Sequence, residues 1–134
     1  MFSTYFRPEK MINFRSLLVW KVSISYAVKL YPIISEIVES EKYGLVSQMK
    51  SSSVSICSNI AEACSRKSTR EVSRFFDIAL GSSYELETQL TLVRELALLD
   101  KEVTSMLISE LNYIQAMLNK YNRKLMENPK KSLE

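Results

Sequence analysis

Four long stretches of this chain repeat their apolar residues every three to four positions, and only two to five residues separate one stretch from the next. An apolar stripe at that period can be buried only on a helix, and connections that short make consecutive helices antiparallel neighbours. The pattern therefore predicts an all-α protein: an antiparallel, up-down-up-down four-helix bundle over residues 14–127. Residues 1–13 are read as an N-terminal extension and 128–134 as a flexible tail. The first helix is expected over 15–39, with Tyr43-Gly44 as the turn that follows, and the second over 45–65. Ser68-Thr69-Arg70-Glu71 reads as a capping box opening a third helix that runs to 98. Asp100 caps the fourth, which runs to 126 before Asn128-Pro129 stops it. Pro32 falls inside the first helix, and the apolar pattern keeps its phase across it. One kinked helix is expected there rather than two.

The first helix carries more apolar surface than a single stripe. Leu17, Trp20, Ile24, Ala27, Tyr31, Ile34 and Val38 form one row, and Val19, Val22, Tyr26, Leu30, Ile33 and Ile37 form another. At 100° per residue the rows lie roughly 110° apart. If one row packs the bundle, the other is left as a large apolar patch, which marks an interaction surface. The expectation is a homo-oligomer with Val19, Val22, Tyr26, Leu30, Ile33 and Ile37 at or near its interface. The third helix is also broad, with Val72, Phe75, Phe76, Ala79, Leu86, Leu90, Val93 and Ala97 as its core face.

Composition narrows the chemistry. The chain has 134 residues, no histidine, two cysteines, two glycines and three prolines. Without histidine there is no Ser-His-Asp or Cys-His centre, no HExxH zinc site and no ExxH di-iron site. Gly44 and Gly81 stand alone, so there is no glycine-rich phosphate loop. Ser47-Gln48-Met49-Lys50 matches an SxxK pattern, but the SDN and KTG partners that would build its cleft are missing. Glu85 and Glu87, two apart on a helix, point away from each other. Cys57 and Cys64 would sit ~10 Å apart on one helix, beyond disulfide reach, and read as small buried residues of a reducing compartment. No catalytic residue, metal ligand or cofactor is expected, and the protein is read as non-enzymatic. No apolar run approaches the roughly 20 residues of a membrane span, and the first residues lack a signal-peptide core. A cytoplasmic location is expected.

Two polar features remain. On the second helix Gln48, Ser52, Ser55, Asn59, Glu62 and Arg66 form a polar seam at heptad spacing, facing Ser82, Glu85 and Gln89 of the third. Ser55, Asn59, Glu62, Glu85 and Gln89 are read as a structural network that fixes helix register. Net charge is only +3. Locally, however, Arg66, Lys67, Arg70 and Arg74 gather around the start of the third helix, and Lys120, Arg123, Lys124, Lys130 and Lys131 make the C-terminal end basic. Arg66, Lys67, Arg70 and Arg74 are the candidate phosphate contacts, which would gain strength if assembly repeated them.

Three segments together carry a resemblance: FRSLLVW at 14–20, YGLVSQMKSSSVSICSNIAEA at 43–63 and ALGSSYELETQL at 79–90. They resemble the motifs of the bacterial four-helix-bundle proteins encoded in intervening sequences of 23S ribosomal RNA genes, over about residues 14 to 126. Cys57 stands where that family usually has proline, Ala63 where it has glycine, and Lys50-Ser51 where it often has two arginines. Residues 1–10 precede the customary start, which makes Met11 an alternative first residue. The resemblance implies a cytoplasmic homopentamer of bundles without enzymatic activity. It also implies kinship with the accessory variability determinant of diversity-generating retroelements, a basic pentamer that binds nucleic acid and a reverse transcriptase. Two functions follow as expectations. One is an oligomeric accessory protein that binds RNA or DNA through repeated basic patches; the other is a homo-oligomeric protein-binding scaffold.

Overall fold

The computed structural model describes residues 12–127. Met11, most of the N-terminal extension, the Asn128-Pro129 stop and the tail lie outside the described residues. Ile12 is buried in the core, so the end of the extension is already part of the bundle. A short 3₁₀ turn, Phe14–Ser16, is capped by Asn13, whose side chain accepts from the Arg15 N–H. Four helices follow: α1 (Leu18–Ile34), α2 (Ser47–Cys64), α3 (Thr69–Glu95) and α4 (Lys101–Glu127).

The first helix ends five residues earlier than the periodicity suggests, and there is no kinked continuation. Pro32 lacks an N–H and its ring crowds the carbonyl four residues back, so the helix survives it by only two residues. The Ser35 hydroxyl then donates to the Tyr31 carbonyl at 2.8 Å, competing with the helical backbone. A 3₁₀ turn (Glu39–Glu41) and a π-helical turn (Lys42–Val46) lead directly into α2. Tyr43-Gly44 thus lies inside a helical lead-in rather than in a tight turn. At α3 the expected cap is present: Ser68 Oγ accepts from the Glu71 N–H at 3.2 Å. At α4 Asp100 Oδ1 accepts from the Glu102 N–H at 2.7 Å.

Contacts between neighbouring helices give the register. Ser52 meets Glu85 and Ser55 meets Ser82 between α2 and α3. Arg94 meets Ser105, Gln115 meets Glu87 and Asn122 meets Asp77 between α3 and α4. Tyr26 meets Leu107 and Lys29 meets Glu110 between α1 and α4, while Lys50 sits over the Tyr31 ring between α1 and α2. In the α2–α3 and α3–α4 sets, numbers rise on one helix as they fall on the other, so α2 and α3 run antiparallel and so do α3 and α4. The core between the four helices is filled by Leu17, Leu30, Ile34, Met49, Ile56 and Ile60 from the first half, and by Phe76, Leu86, Leu90, Leu107, Leu111 and Ile114 from the second.

This packing corrects the reading of the two α1 rows. Val19, Tyr26, Leu30 and Ile37 are buried within the protomer, and Val22 and Ile33 are half-buried against its core. They are not a free face. A bundle helix has two neighbours roughly at right angles, so α1 needs a broad apolar surface to cover both α2 and α4. The exposed apolar residues of α1 are instead Leu18, Ile24, Val28 and Tyr31, drawn partly from the other row. Ala97, expected in the core, is exposed beyond the end of α3 with φ 55°.

Candidate nucleic-acid interface

The basic cluster occupies the corner where α2 hands over to α3. Arg66 follows the end of α2, Lys67 lies in the connection, and Arg70 and Arg74 lie one turn apart on α3. Lys67, Arg70 and Arg74 are exposed, and Arg66 is half-buried. Arg66 is ion-paired with Glu62, four residues earlier on the same chain segment. Its guanidinium carbon lies 4.5 Å from the centre of the Phe75 ring, and that of Arg74 lies 5.8 Å from the same ring. Two arginines therefore brace one half-buried phenylalanine, which holds their stems in place; Arg74 keeps its charge at the surface, whereas that of Arg66 is paired with Glu62 and its Nε is buried. The first amides of α3 add a positive helix terminus beside them. The corner combines oriented guanidiniums, exposed ammonium and arginine groups and a helix start, which suits phosphate oxygens.

The polar seam is partly what its spacing suggests. Ser55 Oγ and Ser82 Oγ are 2.7 Å apart, and Asn59 Nδ2 donates to the Ser55 carbonyl at 2.8 Å and its hydroxyl at 3.0 Å. Ser52 Oγ donates to Glu85 Oε1 at 3.2 Å. Ser55 and Glu85 therefore join α2 to α3, and Asn59 acts through Ser55. Glu62 does not bridge helices; it neutralises Arg66 instead. Gln89 is buried, and its Oε1 has no hydrogen-bond donor.

A second polar cluster, between α3 and α4, went unseen in the sequence. Glu87 Oε1 accepts from Gln115 Nε2 at 2.9 Å and from Asn112 Nδ2 at 3.0 Å, and Asn112 Nδ2 also reaches Gln115 Oε1 at 2.8 Å. Gln115 is buried beside Leu111, Ile114 and Leu118. That polar residue on the edge of an apolar stripe was the available signal. Nearby, Tyr26 Oη donates to the Leu107 carbonyl at 2.7 Å. Burial, with Glu110 and Glu87 adding negative charge, pushes its phenol well above the usual tyrosine range. Burial likewise raises the Cys57 thiol, which keeps it protonated and unreactive.

An open groove of about 430 Å³ runs between α1 and α4, lined by Val22, Ser25, Tyr26, Lys29, Ser109, Glu110 and Tyr113. Its charged members, Lys29 and Glu110, neutralise each other at 2.7 Å. Among the described residues no group of histidine, cysteine or acidic side chains could hold a metal ion, and no helix is long and apolar enough to cross a membrane.

Comparison with known proteins agrees with this architecture. A crystal structure of a protein of unknown function from the S23 ribosomal protein family of Bacteroides thetaiotaomicron has the same fold. It superposes with a TM-score of 0.72 at 24% identity, covering 79% of this chain and 99% of that one. The search of curated proteins finds no match. The model of one family, 23S rRNA-intervening sequence protein, matches residues 15–120. From just before α1 to the last turns of α4, this chain belongs to the 23S rRNA-intervening sequence protein family.

Proposed function

We propose that the protein is a non-enzymatic, self-associating cytoplasmic accessory protein that holds RNA or DNA by its phosphates. The observation that carries this reading is the braced basic corner of Arg66, Lys67, Arg70 and Arg74. Arginines held by stacking lose less freedom when they meet a phosphate than unsupported side chains do. One corner touches few phosphates and binds weakly. Several copies in one assembly act together, because each bound corner raises the effective concentration of the next. The resemblance described above supports an assembly of five copies and a reverse transcriptase as one kind of protein partner. Self-association would use the outer face of α1, where Ile24, Val28 and Tyr31 are exposed, with Val54 of α2 also exposed.

The test is a gel-shift titration at low salt with the full chain. Wild-type protein should retard nucleic acid with little sequence preference and with steep loss of affinity as salt rises. The double variant Arg70→Glu, Arg74→Glu should abolish retardation while leaving the oligomer unchanged by light scattering. Failure of the wild type to retard RNA or DNA at tens of micromolar would refute the reading. The exposed α1 face would then favour the scaffold reading.

A further inference from the structure

We propose that the outer side of α3 is the surface that receives the α1 face of a second copy, so that copies join head to tail. The proposal rests on the self-association read above and identifies its second half. Within the protomer α1 packs on α2 and α4, and so does α3, which puts α1 and α3 at opposite corners of the bundle. Their outer sides therefore point away from each other.

Helical spacing keeps the residues of each face together. On α1 the exposed residues Lys21, Ile24, Val28 and Tyr31 recur at three- and four-residue steps. Lys50 of α2 lies 5.2 Å from the centre of the Tyr31 ring, and exposed Val54 follows it by one turn, which widens this face onto α2. On α3 Ile78, Gly81, Glu85, Thr88, Leu92 and Glu95 are all exposed and recur at the same steps. Tyr84, Glu87, Thr88, Thr91 and Leu92 line an open groove of about 450 Å³ along that side. Rows at these steps are the ridges and grooves by which helices pack.

Charge decides what the α1 face can meet. Residues 12–35 and 44–61 contain Arg15, Lys21, Lys29 and Lys50 and no acidic residue. Lys29 is paired with Glu110, which leaves Lys21 and Lys50 beside the apolar patch. Two α1 faces brought together would set like charges against each other. The α3 face has the opposite sign. From 75 to 96 the acids are Asp77, Glu85, Glu87 and Glu95, and the one cation, Arg94, is half-buried and reaches Ser105 and Glu95. Opposite charges steer and fix a contact that like charges oppose. A contact between two different faces leaves one of each kind free at the ends, and it propagates until a ring closes.

Gly81 is an independent mark on the same face. It lies in the middle of α3, where glycine weakens a helix relative to alanine, yet an added Cβ would meet nothing within 4 Å. The protomer has no need of a missing side chain there. A neighbouring helix does, because backbone without a Cβ can be approached closely.

The experiment uses light scattering coupled to size exclusion on wild type, the α1 variant Ile24→Glu with Val28→Glu, and the α3 variant Gly81→Leu with Leu92→Glu. Each is run alone, and the two variants are also mixed in equal amounts. All four substituted positions are exposed, and circular dichroism checks that helicity is kept. If the α3 variant loses helicity, Gly81→Leu alone, which has open space around it, takes its place. Wild type should assemble, and each variant alone should be a monomer. The mixture should return a dimer of twice either variant's mass, because each partner supplies the face the other lacks. An α3 variant that assembles like wild type overturns the α3 surface and leaves the α1 face standing. Two monomeric variants whose mixture stays monomeric overturn the pairing of these faces. An α1 variant that assembles like wild type overturns the α1 face read above, and the pairing with it. A wild type that is monomeric at tens of micromolar overturns self-association altogether and leaves both faces to a different protein.

Discussion

Replacing Ala97 by glycine should stabilise this protein, although glycine weakens most helical proteins. Beyond α3 the chain closes a Schellman turn: the Leu98 N–H donates to the Val93 carbonyl at 2.9 Å, and the Ala97 N–H to the Arg94 carbonyl at 3.1 Å. That closure holds Ala97 at φ 55°, in the left-handed region where a Cβ meets the following carbonyl. For a residue with a Cβ this costs about 1–2 kcal/mol. Glycine escapes that cost but loses about 0.5–1 kcal/mol more in backbone freedom on folding. Ala97 is exposed, so removing its methyl group sacrifices little burial. The net gain should be about 0.5–1 kcal/mol, seen as a higher urea midpoint at unchanged slope and a melting point raised by about 2–5 °C. Ala116→Gly is the control. Ala116 is exposed in the middle of α4, where the same change should lower stability by about 1 kcal/mol. If both variants lose stability equally, the strain assigned to Ala97 is wrong.

Other consequences can be checked on the same protein. Tyr26→Phe removes the bond to the Leu107 carbonyl and should cost about 1 kcal/mol in urea unfolding; no change would show the bond to be idle. Because the folded phenol titrates above the unfolded one, its stabilisation is complete below the ordinary tyrosine pKa and fades as pH rises past it. The gap between wild type and Tyr26→Phe should therefore shrink at strongly alkaline pH. Gln115→Leu leaves Glu87 and Asn112 without their buried partner and should cost about 1–3 kcal/mol; a more stable variant would deny the cluster a structural role. Ile24→Glu with Val28→Glu should lower the mass seen by light scattering while helicity is kept, and an unchanged assembly would remove the outer face of α1 from the interface. By contrast Leu30→Ala, in the protomer core, should cost about 2–5 kcal/mol of stability.

Much of the fold was legible because local physics writes it locally. Ser68 and Asp100 start their helices as their side chains require, and the apolar rhythm of α3 and α4 marks the faces that are buried. Helix ends were less legible. Periodicity continues through 35–38 because Ile37 still packs on the core, although Pro32 and Ser35 have already ended the helix. Ala97 keeps the spacing of a core residue but follows the turn that closes α3, so it points away.

The candidate site divides in the same way. Arg66, Lys67, Arg70 and Arg74 are near neighbours in sequence, and their cluster could be read from it. The doubled apolar pattern of α1 was equally visible, but its meaning was not. Two rows at roughly 110° describe either a helix with two neighbours inside one bundle or a helix with one neighbour and a second copy outside it. Which holds depends on where α2 and α4 lie, and only the tertiary structure puts Val19, Tyr26 and Leu30 inside. The same applies to the pairings of Glu87 with Gln115 and of Asp77 with Asn122. Sequence spacing determines which residues share a face of one helix. Which faces meet is decided by the packing of helices against one another, and that depends on residues far apart in the chain.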